Sequence, residues 1–377
     1  MTSRRRLLVD ATPLASDRLT GVGRVLLGIL RALDTDAVAQ RIEVVLVVPR
    51  AERSALDRFG FATLGLRAVP VPGRLWSALT RLPSSPGIDL LLGSGTYFFP
   101  NFRTWPLSRR SSRSIVFVHD VCFAVMPDLV PRERREMLAR SMPRWLARAD
   151  VVVTGTPSSA RETVLALDVP SEKVRVLPTT VDGSLFRPRD RDEIDRVRAV
   201  QRLDRYLLFV GSIERRKNLV TLVEAYRRSG APPGHTLLLV GGDGWDNAEV
   251  HDAVATARSA GVDVRFAEGY VSDDDLPALI TGADAVAMPS WHEGFGLPAL
   301  EAVACGTPVL AADIPGLHDA LAGREEDAVF LDPSDVDAWA SAIREAVDHP
   351  RRVPPGVVPG WGAAAEALVA MTLDTAR

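Results

Sequence analysis

The chain is poor in cysteine: Cys122 and Cys305 are the only two, far apart in 377 residues. No disulfide framework or cysteine-based zinc site can be built from them. The six histidines are scattered, with no spacing such as His-x-x-x-His, so no metal centre is expected. Long apolar runs are missing too. Nothing approaches the roughly 18 apolar residues of a membrane-spanning helix, and no spanning segment is expected. The start, MTSRRRLLVD, is basic, but the apolar stretch Leu7 to Val9 is too short for a signal peptide. The cytoplasm is the expected address. An excess of one charge is also absent. The formal net charge of −3 gives no electrostatic reason to expect a nucleic acid partner. Basic residues cluster at Arg4-Arg5-Arg6, Arg109-Arg110 and Arg132 to Arg135. These read first as solvated faces. Their secondary reading is an anionic acceptor or a peripheral contact with an anionic membrane, at its inner face.

Hydrophobic residues make up 46% and charged residues 25%, as in soluble globular proteins. The length exceeds what one hydrophobic core normally serves, so two domains are expected. Short apolar runs alternate with helical patterns. They are Leu7 to Val9, Ile42 to Val48, Asp89 to Leu92, Ile115 to Val118 and Val151 to Thr154. They resume at Tyr206 to Val210, Thr236 to Val240, Val262 to Phe266, Ala283 to Met288 and Pro308 to Ala311. Such runs suit strands buried on both faces of a parallel sheet, in an α/β fold with right-handed crossovers. The pattern breaks at Pro178 to Arg202, which holds prolines and a dense charge run. That places a domain boundary near residues 185 to 203. The expected units are residues 1–190 and 203–352, both Rossmann-like. Residues 353–377 would form a final helix (Trp361 to Leu373).

The segment richest in chemistry is Pro289-Ser-Trp-His-Glu-Gly-Phe-Gly-Leu-Pro-Ala-Leu-Glu301. It follows an expected strand, and Pro298 suits the first position of a helix. Gly294 and Gly296 permit close approach of the backbone to a ligand. Free amides near Leu297, Ala299 and Leu300 would form an anion site backed by the helix dipole. Glu301 lies one turn in, and its side chain leans back toward that end. A carboxylate beside phosphates is best used to accept hydrogen bonds from a ribose. A plain βα turn with a surface Glu is the blander reading; the glycines, proline and acids together argue against it. Glu293 and Glu301 do not suit a glycosidase pair. On a helix their spacing amounts to about 12 Å, against roughly 5 to 9 Å for such pairs.

Glu293 and Glu301 resemble the E-x7-E signature of retaining glycosyltransferases of the GT-B fold, in particular family 4 (group 1), which includes mannosyltransferases. The resemblance covers nearly the whole chain. Asp10 to Leu33, with Thr20-Gly-Val-Gly-Arg24, is similar to the family's N-terminal glycine loop. His119-Asp120 is similar to its acceptor-side His-Asp, and Leu177-Pro-Thr-Thr-Val-Asp182 to its Leu-Pro-Asn-Gly-Val-Asp linker. Gly211-Ser-Ile-Glu-Arg-Arg-Lys-Asn218 resembles its Gly-Thr-Leu-Glu-Pro-Arg-Lys-Asn segment, and Gly269 to Leu310 matches almost continuously.

The resemblance implies a GT-B protein: two Rossmann-like doubly wound domains facing across a cleft, with the final helix in residues 353–377 crossing back onto the first. It implies that Lys217 and Arg216 neutralise a departing diphosphate. Many relatives carry an Arg directly after the glycine Gly211, where this chain has Ser212. Gly21 and Gly23 would let donor or acceptor approach the backbone; an ordinary turn is the alternative there. His119 would contact the donor sugar and shape the reaction site, and Asp120 would orient it or cap the next segment. Glu293 would hold the transferred sugar with the amides of Gly294, Phe295 and Gly296. Tyr270-Val271 lies where the family holds the base through backbone contacts. Gly241-Gly-Asp-Gly-Trp245 is either a nucleotide wall or an ordinary turn.

The expected activity is retaining transfer of a hexose, mannose from GDP-mannose first, to a hydroxyl of a glycan or lipid-linked acceptor. No metal and no cofactor beyond the sugar nucleotide are implied. The alternatives are a UDP- or dTDP-sugar acting on a small natural product, and a sugar-nucleotide epimerase on the same fold. An NAD-dependent dehydrogenase lacks its Gly-x-Gly-x-x-Gly after the first strand. A non-catalytic sugar-binding protein would bind without turnover.

Overall fold

The computed structural model describes residues 4–70, 87–101, 104–356 and 358–374. The chain divides into two compact units. The first comprises Met1–Val125, Arg135–Thr180 and Gly360–Arg377, and the second Met126–Arg134 and Val181–Pro359.

Among the described residues the first unit holds one seven-stranded sheet. Its strands are β1 (Arg5–Asp10), β2 (Ile42–Pro49), β3 (Gly65–Val69), β4 (Thr96–Phe99), β5 (Arg113–Val118), β6 (Val151–Thr154) and β7 (Val174–Val176). The order is β3-β2-β1-β4-β5-β6-β7 and every pairing is parallel. Consecutive residues of β1 (Leu7, Leu8, Val9) and β4 (Tyr97, Phe98, Phe99) are all buried, so helices cover both faces. The helix Gly21–Leu33 joins β1 to β2, with Thr20 accepting the Gly23 amide as its N-cap. Gly28 on this helix meets the final helix: a Cβ there would lie 2.3 Å from the Trp361 indole. That final helix, Gly362–Leu373, is further held by Arg41, whose Nη1 lies 2.8 Å from each Glu366 oxygen.

One expected strand is a helical turn instead. Asp89–Leu92 is helical, and Leu90 and Leu91 are 53% and 60% exposed. The cause is Asp89. Its buried carboxylate accepts the amides of Ser108 (2.8 Å) and Arg109 (2.7 Å) and the Ser112 hydroxyl (2.8 Å), which fixes a turn. The strand belonging there is β4, four residues long. Two further strands beyond the expected set, β3 and β7, are partly exposed edge strands without an apolar run.

The second unit's sheet, again among described residues, has six strands. They are β8 (Arg205–Val210), β9 (His235–Val240), β10 (Val264–Phe266), β11 (Ala285–Met288), β12 (Val309–Ala312) and β13 (Ala328–Leu331). The order β10-β9-β8-β11-β12-β13 is parallel throughout. Within the unit this is the strand order of dinucleotide-binding folds, reversing between β8 and β11. The edge strand β13 was not among the expected runs. The charged stretch expected at the boundary is a helix of this unit, Arg191–Gln201. A capping box of Asp190 and Glu193 starts it, and Arg198 ties it to the Gly282 carbonyl at 2.7 Å. The division therefore falls at Thr180, before that charge run. No helix among the described residues is long and apolar enough to cross a membrane.

Candidate active site

The second unit's switch-point strands, β8 and β11, are neighbours in the sheet. Their C-terminal loops carry most of the expected residues, at the place where open α/β sheets bind ligands.

After β8 the chain runs through Gly211, with φ +154°. Gly241, at the end of β9, lies against it: a Cβ on Gly241 would sit 1.8 Å from the Gly211 carbonyl oxygen. The ladder continues beyond the strands. The Ile213 amide donates to Gly242 O, and the Gly244 amide to Ile213 O, both at 2.9 Å. The segment Gly241 to Trp245 is thus stitched to the β8 loop, with Ser212 partly exposed beside it. A short 3-10 turn, Arg215–Lys217, follows and ends on Asn218 in the left-handed region. Asn218 Nδ2 donates to Pro289 O at 3.0 Å and Pro333 O at 2.8 Å. The Trp291 amide donates to Arg216 O at 3.0 Å. The loops after β8 and β11 are therefore cross-linked through the backbone.

Between them lies a buried ionic cluster. Glu293 Oε1 accepts Lys217 Nζ at 2.6 Å and Ser290 Oγ at 2.7 Å, while Oε2 accepts Arg216 Nη1 at 3.1 Å. Arg216 also donates to Glu214 Oε1 and to His292 O. Glu293 and Lys217 are each 7% exposed. Burial alone would raise the Glu293 carboxyl, but Lys217 and Arg216, with hydrogen bonds from Lys217 and Ser290, hold it at about 2. Burial, then the Arg216 charge, push the Lys217 ammonium below its ordinary range against the pull of Glu293. Both directions follow from one arrangement, a buried cluster in which Glu293 meets both cations and Glu214 holds one of them.

The loop after β11 is held from behind. A Cβ on Gly316 would lie 2.1 Å from the Glu293 carbonyl oxygen, so that position admits only glycine without movement. Gly296 has φ +87° and caps the helix Leu297–Ala304. Its carbonyl accepts the Ala299 amide at 3.0 Å. This corrects one expectation: the Ala299 amide is engaged by the glycine turn rather than free for an anion. Gly294 is buried, whereas Phe295, Leu297 and Leu300 are partly exposed. Glu301 is buried in the same helix, at 2% exposure. Val271 packs against the unit's core beside the half-exposed Tyr270.

The first unit holds the remaining expected residues. Asp10, at the end of β1, accepts the Thr12 amide and hydroxyl. The two glycines that open the helix Gly21–Leu33 differ. A Cβ on Gly23 would lie 3.0 Å from Pro13 O, whereas one on Gly21 would meet nothing within 4 Å. His119 follows β5, stacks on Phe117 with centroids 4.1 Å apart, and its Nε2 lies 2.8 Å from Pro100 O. A carbonyl only accepts, so Nε2 carries the proton. Burial pulls the His119 pKa below 6.5, against the Pro100 bond and the Asp120 charge. The neutral ring then leaves Nδ1 as an acceptor. Asp120 accepts the Cys122 amide at 3.1 Å, so it caps the next turn and influences His119 through charge alone.

The sequence reading missed Glu214, Ser290, Asn218 and Gly316. The first three lie inside segments already singled out, but nothing in one sequence assigns their partners. Gly316 carried no signal, because its role is a close approach from a distant loop.

Two family profiles match the chain: "Glycosyltransferase Family 4" over residues 19–185 and "Glycosyl transferases group 1" over residues 190–353. The chain is 27% identical over 368 residues to O-antigen chain mannosyltransferase B of Escherichia coli, covering 90% of each. It is 36% identical over 214 residues to D-inositol 3-phosphate glycosyltransferase of Salinispora tropica, covering 52% of this chain and 44% of that one. Among solved structures, Anabaena Alr3699/HepE in complex with UDP and glucose superposes with a TM-score of 0.67 at 17% identity, covering 98% of this chain and 96% of that one. Sucrose-phosphate synthase from Thermosynechococcus elongatus superposes at 0.63 with 20% identity, covering 98% and 95%. These likenesses establish a common GT-B fold.

Proposed function

The chain belongs to the group 1, family 4 glycosyltransferases, enzymes that transfer a sugar from a nucleotide sugar, and from that premise we propose a retaining, metal-independent hexosyltransferase. The donor is GDP-mannose in the first instance, and the acceptor a hydroxyl of a glycan or lipid-linked glycan. The observation that carries this reading is the buried set Lys217, Arg216 and Glu293 at the ends of β8 and β11. Two cations there suit the charge that grows on a leaving diphosphate, which makes a metal unnecessary. As the donor draws on those cations, Glu293 is relieved of part of its pairing and accepts hydroxyl hydrogens of the sugar. Glu301 accepts the ribose hydroxyls, and Gly294, Phe295, Gly296, Leu297, Ser212 and Val271 line the donor through their backbone. His119 serves the acceptor side. The bond from the anomeric carbon to the diphosphate oxygen breaks as the acceptor oxygen bonds to the same face, and the acceptor proton passes to the leaving phosphate. The mannosyltransferase relative, which matches over most of the chain, supports mannose.

The second reading is a small phosphorylated or polyhydroxylated acceptor, supported by the D-inositol 3-phosphate glycosyltransferases among the relatives. A thermal-shift panel of GDP, UDP, dTDP, ADP and NAD, each in the same excess, would reveal the donor class, because a nucleotide present at about 100 times its dissociation constant adds about 2.7 kcal/mol of stabilisation and a non-binder adds none. Turnover with and without EDTA, and NMR of the product's anomeric proton, test metal independence and retention. An inverted product would sink the same-face displacement. Donor consumption without any acceptor would indicate the epimerase or hydrolysis instead.

A further inference from the structure

We propose that Glu214 is a positioning residue for the transfer reaction, holding Arg216 so that its guanidinium meets Glu293 in one orientation; this rests on reading the cluster as the donor site. Glu214 is 4% exposed. Its Oε1 accepts Arg216 Nε at 3.1 Å and Nη2 at 2.8 Å, the two nitrogens of one edge of the guanidinium. A planar fork held along one edge has its other end directed. That end is Nη1, which donates to His292 O at 2.7 Å and to Glu293 Oε2 at 3.1 Å.

Glu214 is itself placed by the β9 loop. A Cβ on Gly244 would lie 2.9 Å from the Glu214 Cβ and 3.1 Å from its Oε2, so glycine there leaves room for the carboxylate. Backbone bonds from Ile213 to Gly242 and from Gly244 to Ile213 fix the strand end that carries Glu214. Gly241-Gly-Asp-Gly244 thereby gains a role: it sets Glu214, which sets Arg216, which sets Glu293.

Charge gives the relay its signature. Glu214 and Glu293 balance Arg216 and Lys217 in the cluster. An arriving diphosphate competes for Arg216, and Glu214 keeps that side chain from leaving Glu293 altogether. Neutralising Glu214 therefore favours diphosphate binding while loosening Glu293. Binding and turnover should move in opposite directions, which a residue serving the fold alone would not produce.

The test uses the full chain as wild type, Glu214→Gln and Glu214→Asp. Calorimetric titration with GDP and with UDP gives binding, and donor turnover gives kcat and KM. Glu214→Gln is expected to bind the preferred diphosphate as tightly as wild type or up to about tenfold tighter. Its kcat should fall about 100-fold, the cost of a small misplacement near the chemistry. Glu214→Asp, which keeps the charge, should recover part of kcat. Unchanged kcat, or parallel losses of binding and kcat with a lowered Tm, would overturn the proposal. A wild type that binds neither diphosphate would overturn the donor-site reading first and this inference with it. Should Glu214→Gln fail to fold, Gly244→Ala displaces the Glu214 carboxylate while leaving both donor cations in place; it must lower kcat with diphosphate binding retained, and proportional losses would refute the relay.

Discussion

Lys217 Nζ lies 2.6 Å from Glu293 Oε1, and the two residues come from loops that follow adjacent strands of one parallel sheet. Removing Lys217 leaves the buried Glu293 carboxylate with one cation, Arg216, in place of two. Lys217→Ala should therefore destabilise the second unit by about 1.5–3 kcal/mol, the worth of a buried hydrogen bond between charged groups. The double variant Lys217→Met, Glu293→Gln should be more stable than Lys217→Ala, because it removes both charges. Urea unfolding of the variants checks this, and equal stability of single and double variants would contradict the pairing.

The Glu293 carboxyl titrates at about 2 in the folded chain against 4.5 ordinarily. Its folded-state pKa is depressed, so the stability it contributes is fully present above about 4.5 and is lost as pH falls through about 2. Acid unfolding of Glu293→Gln should lack this part of the pH slope. Parallel stability curves for variant and wild type from pH 5 to about 2 would count against the assignment.

His119 should titrate below 6.5, since burial disfavours its charged form. Stability linked to this group falls as pH drops from 6.5 toward the lower folded value, because the unfolded chain takes up the proton first. Imidazole resonances followed by NMR give the midpoint directly. A midpoint at or above 6.5 would mean that the Pro100 bond and the Asp120 charge outweigh burial.

Two glycines offer a contrast. Gly316→Ala would press a methyl against the Glu293 carbonyl, so it should cost about 1–3 kcal/mol and lower kcat by displacing Glu293. Gly21→Ala meets nothing in the fold and should leave stability equal or slightly higher. Any loss of donor or acceptor affinity in Gly21→Ala would then report a ligand at that helix start. Denaturant midpoints and KM values for both variants decide the matter.

The strands buried on both faces were legible because consecutive apolar residues leave few other arrangements; β1, β2, β5 and β8 appear where their apolar runs lie. The edge strands were not, since half-exposed segments such as Val174–Val176 carry no continuous apolar run. Asp89–Leu92 misled because one buried carboxylate, satisfied by residues 108 to 112, outweighed a strand-like sequence. In the site, the motifs located Lys217, Arg216 and Glu293 but not their mutual pairing. That pairing depends on which strands become neighbours, and β8 and β11 are far apart along the chain.

The packing of Trp361 against Gly28 has a consequence for synthesis. The first unit needs a helix encoded after the whole of the second. A chain cut short before residue 360 would contain the seven strands described for the first sheet and the six described for the second. It would lack the helix whose Trp361 covers Gly28, leaving an indole-sized notch open on the first unit's opening helix. The first unit is thus the last to close, although it is the first to be made.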